Sequence, residues 1–339
     1  MKIKTISLVL ALVTVSFVMP SFADSTLEKV KKSDVLSCGV STGLAGFSQK
    51  DEKGQWSGLD VDVCRSIAAA VLGDASKVQY KPLTAKERFL ALQSGEVDVL
   101  SRNTTWTHTR DTSLGLNFAG VIYYDGAGFM VSKQLGVKSA LELDGANACI
   151  QAGTSTELAI SDYFRENKMN YKAITFDTSD QTRAGFESGR CDFLISDQSQ
   201  LYALRIGLQK PEDAVVLPEV ISKEPLGPVV RQNDDEWFNI VKWVVNASIE
   251  GEFQGVTSKN ADDLKTKGNP GQQRLLGTEG DLGQKLGLSS DWAYQVIKQV
   301  GNYAESFERN VGQGSPLKIS RGLNAQWNKG GILYSPAMR

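Results

Sequence analysis

The sequence predicts an α/β fold made of two similar lobes that face one cleft. A motif occurs twice: residues 94–101 read SGEVDVLS, and residues 188–196 read SGRCDFLIS. Each copy predicts a helix end, a buried turn at Asp98 or Asp192, and a short apolar strand. Both strands run into polar residues. Because ligands of open α/β sheets bind beyond the carboxyl ends of such strands, two facing binding edges are expected.

The first unit alternates between strands and helices. We predict strands at 35–41, 78–82 and 97–101, with helices over 58–70 and 85–94 between them. Asp60 or Asp62 is expected to cap the first of these helices. This β-α-β-α-β order implies right-handed crossovers and a sheet that contains parallel strands.

The second unit repeats this order of strands and helices, and its position along the chain gives the predicted boundaries of the two lobes. Lobe 1 is expected to comprise residues 24–128 and 226–339, and lobe 2 residues 129–225. The apolar stretch 126–132 (GAGFMVS) is interpreted as the first crossover between the lobes, and 224–230 as the return.

The remaining segments predict a leader helix at 24–34 and a long C-terminal extension at 255–339. An amphipathic helix is expected at 234–250, and an apolar helix at 292–307 within the extension. We expect the extension to pack on lobe 1. The sequence leaves open whether it also contacts another protein.

The N-terminus has the pattern of a cleaved export signal. Lys2 and Lys4 precede an apolar run over residues 6–19, and small residues lead to a cleavage site after Ala23. A membrane anchor is the alternative, but the run is short for a hydrocarbon core of about 30 Å. We therefore predict a periplasmic protein.

Charge and cysteine usage narrow the class further. The formal net charge of −2 gives no support for a nucleic-acid partner. Four cysteines in an exported chain favour disulfides. Of three possible pairings, the two-unit organisation selects Cys38–Cys64 and Cys149–Cys191. A zinc site is the alternative, but no CxxC spacing occurs and His108 is the single histidine.

The stretch 103–110 (NTTWTHTR) is the sharpest candidate for a binding site. Asn103 and Thr105 lie at a predicted strand end, and Arg110 offers a planar guanidinium that matches a carboxylate. The alternative is structural: Thr107 caps a helix and Arg110 pairs with a nearby acid.

The second unit offers complementary groups. Thr154 and Ser155 lie in a turn, GTSTE, that directs backbone N–H groups at an anion or simply caps a helix. Asp197 follows the last strand, where it binds an ammonium or ends a turn. A cation from one lobe and an anion from the other predict a small zwitterionic ligand, with no cofactor and no metal.

Taken together, four motifs resemble the periplasmic solute-binding proteins of ABC amino-acid importers, over about residues 33–255. They are GLDVDVC, SGEVDVLSRNTTWTHTR, GTSTE and SGRCDFLISD. The extension and paired cysteines resemble the general L-amino-acid-binding members. The resemblance implies a periplasmic-binding-protein type II fold with two crossover strands and a cleft between the lobes.

The resemblance also implies roles for residues that match the family pattern. Arg110, with Thr105 and Asn103, would clamp the ligand α-carboxylate. Ser155 and the adjacent Thr154 would join from lobe 2.

At the other end of the ligand, the resemblance assigns Asp197 to the α-ammonium. Phe47 is the candidate for an aromatic wall, with Trp106 and Trp56 behind it.

The implied function is an extracytoplasmic, monomeric component that binds L-amino acids with broad specificity and delivers them to a membrane permease. A chemoreceptor partner is compatible with this role. The alternative is an exported dehydratase on the same fold, acting on a cyclic acid. It needs a general acid, for which His108 and Glu157 are the candidates.

Overall fold

The structure is a computed structural model that describes residues 25–339. The predicted export signal and its cleavage site lie outside the described residues. Within that range, every helix is too short or too polar to cross a lipid bilayer.

The strands of the described chain are short and lie between residues 36 and 231. They are β1 (Leu36–Ser41), β2 (Gln49–Lys50), β3 (Trp56–Ser57), β4 (Val78–Leu83), β5 (Val99–Leu100), β6 (Leu116–Phe118), β7 (Tyr123–Asp125), β8 (Ala127–Ser132), β9 (Asn147–Gln151), β10 (Lys172–Phe176), β11 (Phe193–Asp197), β12 (Ala214–Val216), β13 (Glu224–Leu226) and β14 (Val229–Arg231).

The α-helices alternate with these strands and then form the C-terminal extension alone. They are α1 (Thr26–Ser33), α2 (Leu59–Leu72), α3 (Arg88–Gln93), α4 (His108–Ser113), α5 (Thr156–Glu166), α6 (Ser179–Glu187), α7 (Gln198–Ile206), α8 (Asp235–Phe253), α9 (Ala261–Lys267), α10 (Pro270–Leu275), α11 (Leu282–Lys285), α12 (Trp292–Val300) and α13 (Tyr303–Asn310).

Two five-stranded sheets form the centres of two lobes. Their strand orders are β4-β1-β5-β14-β6 and β10-β9-β11-β8-β12. In each sheet the fourth strand, β14 or β8, is antiparallel to both of its neighbours, and the other four strands run parallel to one another. A separate two-stranded ribbon pairs β7 with β13 and connects the lobes. The predicted two-lobed α/β fold with two crossover strands is confirmed.

The interpretation of residues 126–132 as a crossover is wrong. Ala127–Ser132 is strand β8, which lies between β11 and β12 inside the second sheet. Five of its six residues are buried, so its continuous apolar pattern reflects burial on both faces of a sheet. The first crossover lies just before it, at Tyr123–Asp125.

The repeated aspartate has the same structural role in both lobes. Asp98 Oδ2 accepts a hydrogen bond from Ser37 N at 2.9 Å, and Asp192 Oδ2 accepts one from Asn147 N at 2.7 Å. Asp98 thus joins the start of β5 to the start of β1, and Asp192 joins the start of β11 to the start of β9. The repeated sequence motif therefore corresponds to the same structural feature in each sheet, an aspartate that links two adjacent parallel strands.

Helix α2 begins differently from the prediction. Its N-cap is Gly58, at a φ of 129° and without a side-chain cap. Asp60 instead accepts hydrogen bonds from Asn103 N and Ser101 Oγ, at 2.8 and 3.0 Å. Asp62 bonds to the extension through Arg309. Both carboxylates accept hydrogen bonds from donors that are distant in the sequence. A capping rule based on neighbouring residues does not take such donors into account.

The extension packs on lobe 1, as predicted. Trp292 is 2 % exposed and joins an apolar cluster that includes Trp237 and Ile67. The single helix predicted over 292–307 is two helices, α12 and α13. The chain turns between them at Gly301, whose φ of 99° is readily adopted only by glycine.

Both predicted disulfides are present, Cys38–Cys64 and Cys149–Cys191. The first joins β1 to α2, and the second joins β9 to the turn that leads into β11. They close loops with sequence separations of 26 and 42 residues.

We expect the double variant Cys149→Ser/Cys191→Ser to unfold more easily. Opening a loop of this length restores entropy to the unfolded chain, with an expected loss of about 2–4 kcal/mol in the free energy of unfolding. Urea denaturation of the oxidised proteins measures the difference. An unchanged midpoint and slope would show that this bond does not stabilise the lobe.

Candidate functional site

Arg110 is held at the edge of lobe 1 by a short helix. Thr107 is the N-cap of α4 and accepts a hydrogen bond from Arg110 N at 3.3 Å. The guanidinium turns back and donates from Nη1 to the Thr105 carbonyl at 2.9 Å. Burial lowers the pKa of Arg110, and the charges of Glu224 and Asp197 oppose that shift. Thr107 is therefore a cap, and Arg110 faces two acids of the cleft.

Ser155 reaches across the cleft from lobe 2. It precedes α5, but its side chain makes no capping hydrogen bond. Its Oγ lies 3.2 Å from Thr105 Oγ1 and donates to Glu224 Oε2 at 2.8 Å. The neighbouring Thr154 donates to the Gln151 carbonyl. The GTSTE turn thus positions a hydroxyl towards the opposite lobe rather than capping its own helix.

Asp197 ends strand β11 and is 5 % exposed. Its pKa is raised well above the usual range by burial and by the nearby charges of Asp125 and Glu224, while Arg110 and Arg88 oppose the shift. Burial also raises the pKa of Asp125 to about 6. Three acids therefore share a small, water-poor region, which favours a cation among them.

A small cavity between the lobes brings together most of the predicted site residues. Asn103, Thr105, Thr154, Ser155 and Asp197 all line it. The complete lining among the described residues is Arg88, Arg102, Asn103, Thr105, Gln151, Thr154, Ser155, Thr156, Ser196, Asp197 and Gln200. Arg110 is joined to this wall through the Thr105 carbonyl.

Phe47 does not reach this cavity. It is fully buried within lobe 1, with its ring 5.5 Å from that of Tyr123, in a cluster that includes Phe307 of the extension. The extension supplies apolar partners that surround Phe47. The two tryptophans expected behind Phe47 also lie elsewhere: Trp106 stacks on Phe118, and Trp56 lies against Tyr80.

Two buried arginines of the cavity were missed from the sequence. Arg102 donates to the Leu83 carbonyl at 3.0 Å, and burial lowers its pKa to about 10. Arg88 lies on α3 and is 2 % exposed. A signal for Arg88 did exist: it precedes Leu92 by four positions, so the two share one face of the helix, and an apolar residue on that face indicates burial.

Arg88 hydrogen-bonds to neutral groups, and the charges of Asp197 and Asp60 compensate its own charge only in part. Nη2 donates to the Gly153 carbonyl at 3.3 Å, and Nη1 lies 3.5 Å from Thr104 Oγ1. Nε has no hydrogen-bond partner among the described residues. Burial lowers the pKa of Arg88 well below its usual range, and the charges of Arg110 and Arg102 add to that shift.

The cleft is closed in this structure. Besides the Thr105–Ser155 contact, Asn103 Nδ2 donates to Gln200 Oε1 at 3.2 Å, and Lys86 Nζ lies 2.7 Å from Asp177 Oδ1. Cations at the lobe 1 side and acids near Asp197 suit a small ligand that carries both charges. The same residues provide hydroxyl and amide groups for the remaining hydrogen bonds.

The residues considered for enzymatic chemistry lie outside the cavity lining. His108 is exposed on α4. Glu157 is also exposed and accepts a hydrogen bond from Gly153 N at 2.8 Å. Among residues 25–339, His, Cys, Asp and Glu side chains form no group that could hold a metal ion.

Comparison with known proteins agrees with this architecture. The model of the bacterial extracellular solute-binding proteins, family 3, matches residues 36–262. The general L-amino acid-binding periplasmic protein AapJ of Rhizobium johnstonii is 54 % identical over 341 residues and covers 100 % of both chains. The glutamate/glutamine/aspartate/asparagine-binding protein BztA of Rhodobacter capsulatus is 49 % identical, over 93 % of this chain and 94 % of its own.

A solved structure of similar length has the same fold. The ABC transporter periplasmic binding protein from Brucella ovis, with glutathione bound, superposes with a TM-score of 0.92 at 55 % identity. The match covers 94 % of this chain and 100 % of that one. The family model spans both lobes and the relatives match along almost their whole length, so the chain belongs to the bacterial extracellular solute-binding proteins, family 3.

Proposed function

We propose that this protein binds L-α-amino acids in the cleft and delivers them to the membrane permease of an ABC importer. The observation that carries this proposal is the placement of arginines of lobe 1 and the buried Asp197 of lobe 2 around one closed cavity, with the half-buried Arg110 bonded to its wall through the Thr105 carbonyl. The names of AapJ and BztA support the same ligand class. We further infer that it acts as a periplasmic monomer after cleavage behind Ala23.

In this proposal Arg110 and Thr105 bind the α-carboxylate, while Ser155 and Asp197 complete the site from lobe 2. A ligand that contacts both lobes binds the closed form more tightly than the open form, so it shifts the population towards closure. Hinge closure of this kind presents a distinct surface to a partner. Delivery would therefore follow recognition of the closed form by the permease.

An enzymatic role is not favoured. The family is one of solute-binding proteins, and the close relatives are named as binding proteins. The two residues that a dehydratase would need, His108 and Glu157, are exposed and lie outside the cavity lining. The protein is a solute receptor.

Arg88 supports a narrower ligand class. Its cationic side chain lines the cavity in addition to the arginine assigned to the α-carboxylate. A second carboxylate or a side-chain carbonyl of the ligand would satisfy it. We therefore propose a preference for amino acids with acidic or amide side chains. BztA is named for such ligands, and glutathione, bound by the Brucella ovis protein, carries two carboxylates.

A thermal-shift screen of all twenty L-amino acids tests the function. A ligand at 100 times its dissociation constant should stabilise the protein by about 2.7 kcal/mol. The Arg110→Ala variant should lose this shift, because an unpaired ligand carboxylate in a buried site costs about 2–5 kcal/mol of binding.

Arg165→Ala is the matched control, since Arg165 is exposed on lobe 2 and pairs only with Asp162 in the salt bridges described. It should behave like the wild type. A normal shift in Arg110→Ala would contradict the assigned clamp, and no shift with any amino acid in the wild type would contradict the function.

Arg88→Gln should change specificity rather than remove binding. We expect calorimetry to show a loss of about tenfold or more in affinity for L-glutamate, because a charge-assisted hydrogen bond is lost. The affinity for L-alanine should change little. Lys81→Gln is the control, because Lys81 lies on β4 and pairs with Glu96 of the same lobe, away from the cleft contacts. Equal losses for both ligands would show that Arg88 does not recognise the side chain.

Affinity for a neutral amino acid such as L-glutamine should rise with pH through about 6. Burial raises the pKa of Asp125 and Asp197, so the free site holds protons at lower pH. The ligand ammonium favours the ionised acids, and binding should therefore release protons. Between pH 7 and pH 5 we expect about a tenfold loss in affinity by calorimetry. A flat profile, or tighter binding at pH 5, would contradict the acidic subsite.

A further inference from the structure

The C-terminal extension holds the outer edge of crossover strand β7. Asn324 Oδ1 accepts a hydrogen bond from Tyr124 N at 2.7 Å, and Asn324 Nδ2 donates to the Tyr124 carbonyl at 3.1 Å. Asn324 is 4 % exposed. The opposite edge of β7 pairs with β13. The amide side chain thus makes the two hydrogen bonds that a third strand would make.

Neighbouring residues of the same strand are held as well. Tyr303 of α13 donates its hydroxyl to the Ile122 carbonyl at 2.8 Å, and this bond is buried. The Tyr123 ring stacks on Phe307, with ring centroids 6.1 Å apart. Three consecutive residues entering the first crossover are therefore bound by the extension.

The bound segment is itself fixed to lobe 1. Arg321 Nη2 lies 2.8 Å from Glu252 Oε2 near the end of α8, and its Nε donates to the Asn324 carbonyl. Gln326 Nε2 donates to the Ile249 carbonyl at 2.9 Å. These contacts fix residues 321–326 to helix α8 of lobe 1.

The residues that follow this contact belong to the acidic side of the ligand site. Asp125 is adjacent to Tyr124 and accepts a hydrogen bond from Ser199 N at 3.2 Å. Its partner across the ribbon is Glu224, which accepts the Ser155 hydroxyl. The position of β7 therefore determines where both acids meet lobe 2.

We propose that Asn324, with residues 321–326, is a positioning element for the ligand site. It joins the first crossover strand to lobe 1 and so aligns Asp125 and Glu224 with Asp197. The segment lies beyond residues 36–262, which match the family model. The inference rests on the proposed function for its effect on ligand binding, but the restraint on the strand can be measured without any ligand.

The test compares Asn324→Ala with the wild type in two measurements. Hydrogen exchange of the Tyr124 amide, followed by NMR in the ligand-free protein, should accelerate about tenfold or more, because its acceptor is lost. The affinity for L-glutamate by calorimetry should fall about tenfold, and the pH profile of L-glutamine binding should shift, because the acids are no longer held in register.

Asn269→Ala is the matched control: Asn269 lies in the same extension and caps α10. It should leave both measurements unchanged. Asn324→Asp keeps the size and the acceptor but loses the donor to Tyr124, so it should fold and show an intermediate effect. This variant decides the question if Asn324→Ala is too unstable to study.

Two results would overturn the proposal. One is unchanged exchange at Tyr124 in both Asn324 variants, and the other is faster exchange with unaltered L-glutamate affinity and an unaltered pH profile of L-glutamine binding. If the wild type binds no amino acid, the proposed function fails, whereas the exchange rates still decide whether Asn324 restrains the crossover strand.

Discussion

The opposite charges of Arg110 in lobe 1 and the buried Asp197 in lobe 2 are the constraint on which the rest of this structure depends. Burial disfavours the charged forms of both Arg110 and Asp197, and nearby opposite charges compensate each only in part. An isolated charge in such surroundings is unfavourable unless it is paired. A zwitterion bound as we propose would supply both opposite charges at once and would therefore stabilise the closed form.

The fold supplies this arrangement through duplication. Both lobes use an aspartate after a Ser-Gly helix end to join two strands, β5 to β1 in lobe 1 and β11 to β9 in lobe 2. Residues that follow β5 and β11 then face each other across the cleft. Lobe 1 carries the arginines Arg88, Arg102 and Arg110, and lobe 2 carries Asp197. The duplicated units have thus acquired opposite charges while keeping the same framework.

The sequence was informative where the signal is local. The strand-end polar residues, the Thr107 cap and the alternation of elements each depend on neighbouring positions. It failed where distant segments decide the outcome. The stretch GAGFMVS contains an inner strand of the second sheet, because Phe193–Asp197 pairs with it. Phe47 is buried because Tyr123 and the extension pack around it. Arg88 was overlooked because its environment, near Gly153 and Arg110, is assembled from both lobes.

The extension links the architecture to the site. It buries a large apolar surface on lobe 1, and it also holds the strand through which the chain leaves that lobe. The ribbon then carries Asp125 and Glu224 towards Asp197. The geometry of the acidic subsite is therefore set partly by residues far along the sequence from any predicted ligand contact.

The central claim is tested most directly by a crystal structure of the protein with L-glutamate bound. We expect the Arg110 guanidinium within hydrogen-bonding distance of the α-carboxylate, and the Asp197 carboxylate within that distance of the α-ammonium. A bound ligand whose two charged ends are held by other residues, with Arg110 and Asp197 turned to solvent, would contradict the account.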